Sequence, residues 1–397
     1  MEKNDWYAYL MRDILERIEV PVNVEPDKEY VQIGIRSHGR GLFYKEPVLG
    51  KALGNKQVFW IQPNCFILNV VFAWEQAITK TTENEIGMIG SHRFPMYRPK
   101  NDLVDIDYLI YYFLTKRGTD ILEAASPGGA GRNRTLGQER FLKSKITLPT
   151  LPEQQKIAAI LSTQDKVIEL KEKLLAQKQQ QKKYLMQQLL TKKKRLPGFG
   201  GEWKTIHLNE ISYRIETKNT VGNNNVLTIS AQYGLINQTE FFDKVIASDD
   251  KSNYYLLSKD EFAYNRSYSK GYPYGTIKRL KRYVQGVVSP LYICFAVNKK
   301  LASLDFLEQY FEASIINREI QSIVQEGARN HGMLNVAVDD FFRIKITMPE
   351  IEEQKEIAKI LSTADHEIDL LQKSIEAEKQ KKKSLMQLLL TGKVRVK

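Results

Sequence analysis

The segment Glu153 to Thr191, EQQKIAAILSTQDKVIELKEKLLAQKQQQKKYLMQQLLT, returns 200 residues later as Glu353 to Thr391, EQKEIAKILSTADHEIDLLQKSIEAEKQKKKSLMQLLLT. No insertion or deletion separates the copies, and twenty-one of the 39 positions are identical. A gapless repeat built of helix formers implies two equivalent arms, and so a molecule that meets its partner or substrate at two equivalent places.

The repeat extends faintly upstream. Asp107, Tyr108, Leu109, Tyr112 and Phe113 are matched 198 residues later by Asp305, Phe306, Leu307, Tyr310 and Phe311, and Phe66 and Asn69 by Phe262 and Asn265 at an offset of 196. The intervening loops differ in length and share almost no polar residues. One scaffold made twice under two different surfaces is what two domains of one fold would carry if each read something different.

Each long repeat reads as a helix. Pro152 and the Glu153-Gln154 pair suit a first turn, and Pro197-Gly198 is the expected stop for the first copy. In the second copy Leu361, Ala364, Ile368, Leu371, Ile375, Glu378, Lys382, Leu385 and Leu389 fall at a and d spacing, and the first copy repeats this as Leu161, Gln164, Ile168, Lys171, Leu175, Lys178, Lys182, Leu185 and Leu189. The polar middle makes either seam weak alone, so the two helices are expected to pair with each other, antiparallel. A helix of about 40 residues spans about 60 Å, the length of about 18 base pairs of duplex DNA. The lysines and glutamate in the middle of the seam either set its register or are solvated spacing residues.

The chain carries a net charge of +12. Residues 151–197 alone hold ten lysines and one arginine against four acids. Such a run is either a solvated lysine face or a surface for phosphates or an acidic partner. The two cysteines, Cys65 and Cys294, lie in unrelated contexts without metal-ligand spacing and read as inert thiols of a reducing compartment. The charged amino terminus and the absence of any window near the roughly 18 apolar residues of a membrane span favour a cytoplasmic protein.

Four segments follow: a first globular domain at 1–148, a long helix at 149–196, a second globular domain at 197–348 and a second long helix at 349–397. The fold class is α/β in the α+β sense, each globular domain mixing short strands such as Val58 to Ile61, Phe66 to Leu68 and Val287 to Ser289 with helix, including one helix over Asp305 to Val324.

In the second domain, Glu261 to Arg282 interleaves aromatic residues with cations and has almost no acid. It offers Asn265, Arg266, Tyr268, Lys270 and Tyr274 to nucleic acid, with Ser289 on a neighbouring strand; the alternative is a solvated basic hairpin. The corresponding Val70 to Thr82 of the first domain is apolar and acidic. Readout there is expected instead from Arg36, His38 and Arg40, from Asn69, and from Ser91, His92 and Arg93. A glycine-containing basic loop precedes each long helix, with Arg132, Asn133 and Arg134 in the first and Arg329, Asn330 and His331 in the second. Glycine lets backbone approach a ligand, so each loop is either a DNA contact or a linker. Neither is a nucleotide-binding loop, since the GxxxxGK[ST] pattern is missing.

No catalytic pattern stands in the chain. The five histidines form no HExxH or other ligand spacing, and there is no GxSxG elbow, no Rossmann fingerprint and no Asn-Pro-Pro-Tyr run.

Each half closes on Lys-Ile-Thr-x-Pro (Lys145 to Pro149, Lys345 to Pro349), then Glu-Gln, then I-A-x-I-L-S-T-x-D, then L-M-Q-x-L-L-T, and Leu196-Pro197-Gly198-Phe199 with Trp203 opens the second half. In these motifs, across its whole length, the chain resembles the specificity subunit of type I restriction-modification systems. The resemblance implies two target recognition domains, each reading one half of a bipartite double-stranded DNA sequence around a non-specific spacer, with the paired helices as ruler and docking rod. It also implies two methylation subunits and two restriction subunits as partners in a bacterial or archaeal cytoplasm. No cofactor is expected in this chain, and S-adenosylmethionine, ATP and Mg belong to those subunits. The first half has only Asp5-Trp6 where the second has its fuller opening, so the resemblance does not fix where domain one starts. The alternative is an orphan specificity protein serving methylation only or retargeting another system; a coiled-coil adaptor is a remoter one.

Overall fold

The computed structural model describes residues 6–54, 57–128, 134–230, 233–241, 250–268, 271–324 and 332–396. It forms two compact units, Met1–Glu172 with Lys373–Lys397 and Lys173–Gln372. The units therefore cut each long helix in two instead of following the four consecutive segments. Each unit takes the start of its own long helix and the end of the other copy's.

The first unit is built on a four-stranded antiparallel sheet in the order Leu15–Ile18, Met96–Pro99, Phe66–Leu68, Ile78–Lys80. The second repeats it as Ser212–Arg214, Ile293–Val297, Phe262–Asn265, Thr276–Arg279. The strands Phe66–Leu68 and Ile293–Val297 are apolar throughout because both their faces are covered. Phe66 and Leu68 point into the core that the long helices close, while Cys65 and Ile67 belong to a smaller cluster on the other face. In the second unit Phe262 and Tyr264 face one core, and Ala263 and Cys294 the other. Both cysteines are thus free, buried thiols, and burial pushes the Cys294 thiol up to about 12.

The Lys-Ile-Thr element closes each unit by pairing with its opening strand, Lys145–Leu148 against Tyr7–Leu10 and Lys345–Met348 against Lys204–His207. Trp6 and Trp203 each stand immediately before these opening strands. Past the Lys-Ile-Thr element the Glu-Gln pair has a structural task. The Gln154 amide donates to the carbonyls of Pro149 and Leu103 (both 2.9 Å) and its Oε1 accepts from Asp105 N (2.9 Å). Gln354 does the same with Pro349 O and Ser303 N (both 2.8 Å). A buried glutamine thus ties each long helix to the cap of a short acidic helix, Ile106–Phe113 or Leu304–Glu312. The single helix expected over Asp305 to Val324 is broken. Ser314 takes a left-handed φ of 58°, and a second short helix runs Asn317–Ile323.

The long helices are Leu151–Leu189 and Ile351–Leu389. They end before Pro197, because Lys192 (φ 62°) and its counterpart Gly392 (φ 70°) adopt the left-handed conformation that ends helices. The a and d positions are buried or half-buried, and most residues between them are exposed. Pairing is antiparallel. In the first unit Asp165 meets Lys382, Lys171 meets Glu378 (2.7 Å) and Glu172 meets Lys379 (2.7 Å). In the second, Lys178 meets Glu367 (2.7 Å) and Lys182 meets Asp365. Each helix end then enters a core: Leu389 and Leu390 pack with Ile157 and Leu161, and Leu189 and Leu190 with Ile357 and Leu361.

Two charge pairs seal these closures. Arg395 forks onto Glu153 (2.7 and 2.6 Å) and Arg195 onto Glu353 (2.8 and 2.7 Å). The hydrogen bonds from Arg395 hold the Glu153 carboxyl below its usual range. A carboxylate depressed by folding contributes stability above its unfolded pKa of about 4.3, and that contribution is lost as pH falls through the folded value. Arg395→Ala is therefore expected to lower the melting temperature at pH 7 and to flatten its decline below about pH 4. Thermal melts across that range test this, and an unchanged acid limb would show the pair to be idle.

Candidate nucleic-acid interface

At one edge of each sheet, where the central strand ends, three loops are tied together, by backbone hydrogen bonds in the first unit and by backbone bonds with the Arg266 side chain in the second. In the first unit Asn69 turns the chain, its Oδ1 accepting from Val71 N (3.0 Å). Val70 N donates to Arg93 O (3.0 Å), and Leu136 N donates to Val70 O (2.8 Å). The turn 91–94 and the segment after the first glycine loop are thereby held against residues 69–71. The second unit repeats the device. Asn265 Oδ1 accepts from Ser267 N (3.0 Å), and Leu334 N donates to Arg266 O (2.8 Å).

In the first unit a fourth loop joins. His38 N donates to Glu75 O (2.8 Å), Gly39 N to Gln76 O (2.9 Å) and Ser37 Oγ to Glu75 Oε2 (2.9 Å). His38 and Gly39 both lie at positive φ, 61° and 62°, and a Cβ on Gly39 would stand 2.7 Å from Leu114 Cδ2. The three hydrogen bonds hold the loop, and glycine at 39 supplies a positive φ and a close approach that a side chain would not fit. The Arg134 guanidinium lies 5.5 Å over the Trp74 ring.

The segment after Val70, set aside in the sequence for its apolar and acidic character, is therefore the hub on which Arg36, His38, Arg40, His92, Arg93 and Arg134 converge. The signal for it was present in the 196-residue offset that pairs Phe66 and Asn69 with Phe262 and Asn265. Its polar atoms are spent on holding loops, which is why its composition shows no affinity for nucleic acid.

The individual side chains sort by what they touch. His92 and Arg93 are exposed at the tip of the turn, with Ser91 Oγ accepting from Arg93 N (3.2 Å). Arg36 is exposed, lies 5.3 Å over Phe43 and donates to Leu42 O. Arg40 Nε donates to Ser37 O (3.2 Å). His38 and Arg40 also line a cavity of about 770 Å³ beside Asp105, Asp107, Tyr111, Asp165 and Lys382. Asn69 is buried and Asn265 half-buried, and each closes its own turn.

In the second unit Arg266 is used internally. Its guanidinium donates to Leu291 O (2.8 and 3.1 Å) and Val336 O (3.0 Å), so it positions the three loops instead of projecting from them. Ser289 Oγ accepts from Leu291 N (3.3 Å), and Tyr274 O accepts from Tyr264 OH (2.8 Å). Tyr268 is 64% exposed, its backbone N donating to Gly332 O (2.9 Å). The later cations of the basic stretch are taken up by acids. Lys278 pairs with Glu312, Arg279 with Asp305 and Glu308, Lys281 with Glu308 (3.2 Å) and Arg282 with Glu240 (3.1 Å). Arg132, Asn133, Lys270, Arg329, Asn330 and His331 lie outside the described residues.

Among the described residues no group of three or more His, Cys, Asp or Glu side chains is placed to hold a metal ion, and no helix is long and apolar enough to cross a membrane.

A family profile described as the type I restriction modification DNA specificity domain matches residues 25–180 and again 201–379. The chain is 25% identical over 335 residues to the type I restriction enzyme MjaVIII specificity subunit of Methanocaldococcus jannaschii, over 75% of this chain and 72% of that one. Among solved structures it resembles the HsdS subunit from Thermoanaerobacter tengcongensis, with a TM-score of 0.55 and 16% identity over 99% and 98% of the two chains. It also resembles the S subunit of a type I restriction-modification system from M. genitalium, with a TM-score of 0.57 and 13% identity over 98% and 97%. At these identities the structural likeness is one of fold.

Proposed function

The chain belongs to the type I restriction-modification DNA specificity family, and on that premise we propose that each unit reads one half of a bipartite duplex target through the three-loop edge of its sheet. The observation that carries this reading is one loop-tying device built twice from unlike residues, Val70 and Val71 in one unit and Arg266 and Ser267 in the other. A constant frame under changing side chains suits recognition of two different half-sites. Phosphate contacts fix register, and base-edge contacts from the variable side chains supply the sequence.

In this reading the exposed side chains of His92, Arg93 and Arg40 serve the first half-site, and Arg266 orders the loops that serve the second. The two long helices set the gap between half-sites and dock two methylation subunits and two restriction subunits. Those partners carry S-adenosylmethionine, ATP and Mg, and the chemistry is theirs.

Methylome sequencing of cells co-expressing the chain with its methylation subunit tests the reading. A new methyladenine motif in two parts around a fixed gap is expected. A stable complex that leaves no such motif would overturn it.

A further inference from the structure

Residues 72 and 268 stand at the same position of the repeat, three residues past its paired asparagines. The offset of 196 that pairs Phe66 with Phe262 and Asn69 with Asn265 also pairs Phe72 with Tyr268. The pairing is structural as well, since both asparagines close the same turn onto the backbone N–H two residues on (3.0 Å each). One residue past each asparagine, the carbonyl accepts from the segment after the glycine loop, Leu136 or Leu334 (2.8 Å each).

The rest of the turn differs. Valine stands against arginine at the next position and valine against serine at the one after, yet both turns carry an aromatic ring three residues past the asparagine. Those rings are exposed, Phe72 at 37% and Tyr268 at 64%, while Val70, two residues before Phe72, and Ala73, the residue after it, are buried at 8% and 0%. One exposed aromatic needs no explanation. The same ring at the same position of two otherwise divergent loops does.

We propose that Phe72 and Tyr268 are equivalent contact residues, each placing an aromatic ring against the apolar surface of a base in its half-site. This rests on the DNA-reading function given above. Phe72 has no donor or acceptor, so it takes no part in the hydrogen-bond code of the grooves. What it can meet is a base face or the methyl group of thymine. The hydroxyl of Tyr268 is secondary to its ring. The neighbouring Arg93 and Arg134 would hold phosphates or base edges while the ring fixes depth.

The test uses the full chain co-expressed with the methylation subunit, comparing methylomes of wild type, Phe72→Ala, Phe72→Leu, Phe72→Tyr, Tyr268→Ala and Tyr268→Phe. Phe72→Ala and Phe72→Leu should cut methylation of the original motif by about 10-fold or relax one position of the first half only, the loss expected from one good base contact. Phe72→Tyr and Tyr268→Phe keep a ring and should leave the motif intact, and Tyr268→Ala should affect the second half only. Leucine retains apolar volume, so its failure beside the success of tyrosine separates ring contact from packing. With purified complex and a duplex bearing the motif, the salt dependence of affinity should be unchanged in Phe72→Leu, because no phosphate contact is removed. A two-part motif in wild type that survives Phe72→Ala and Phe72→Leu unaltered overturns this inference alone. Absence of any two-part motif in wild type overturns the parent reading and this one with it.

Discussion

Changing Lys171 and Lys178 together to glutamate is expected to destabilise the paired helices and to break up any complex that docks on them, while adding Glu367→Lys and Glu378→Lys restores both. Lys171 lies 2.7 Å from Glu378 and Lys178 2.7 Å from Glu367. Lys171 and Gln164 both hydrogen-bond the Glu378 carboxylate and hold its pKa down. Reversal would set glutamate against glutamate at both places, and the melting temperature should fall by roughly 5 °C or more.

The outer pairs do not discriminate between copies. Asp165 with Lys382 mirrors Asp365 with Lys182, and Glu153 with Arg395 mirrors Glu353 with Arg195. A first-copy helix meeting its own kind would form these pairs equally well. The inner pairs have no mirror, because the residues 200 positions from Glu378, Lys171 and Glu367 are Lys178, Leu371 and Val167. Like-with-like pairing would bring Lys171 against Lys178. The middle of the seam therefore favours pairing of unlike copies, as charged and polar seam positions do in coiled coils generally. Melting curves with size measurement by light scattering decide the matter, and a fourfold variant no more stable than the double one would refute the pairing.

Phe295→Ala should cost the second unit about 4 kcal/mol, the usual range for removing a ring from a packed core. The ring stacks on Phe262 at 5.2 Å and meets Phe341 at 5.8 Å, Phe311 at 6.2 Å and Phe342 at 6.3 Å, with none of its surface exposed. No residue of the first unit's sheet belongs to this cluster. Hydrogen exchange should accordingly show early loss of protection at residues 262–264 and 293–297, with residues 66–68 and 96–97 retaining theirs. Equal loss in both sheets would mean that the two cores unfold as one.

The sequence showed the heptad seam residue by residue, the duplicated scaffold, the closing Lys-Ile-Thr element and the family to which these motifs point. It misplaced two helix ends, at Lys192 and Ser314, where a non-glycine residue takes positive φ without a compositional signal. Composition also does not tell which cations of Glu261 to Arg282 are already paired. Lys278, Arg279 and Lys281 face acids of the helix Leu304–Glu312, more than twenty residues away.

What the sequence determined by itself is whatever repeats locally: a period of seven along the helices, an apolar run in each central strand and the same motifs 200 residues apart. Such patterns need only near neighbours to be expressed. The tertiary structure alone decided which charged side chains are already occupied, that the Arg266 guanidinium braces loops, that residues 69–77 hold the neighbouring loops of the first unit together, and that each unit is closed by the other copy's helix. Those outcomes depend on partners distant in sequence, and a hydrogen bond or ion pair across such a distance leaves no periodicity to read.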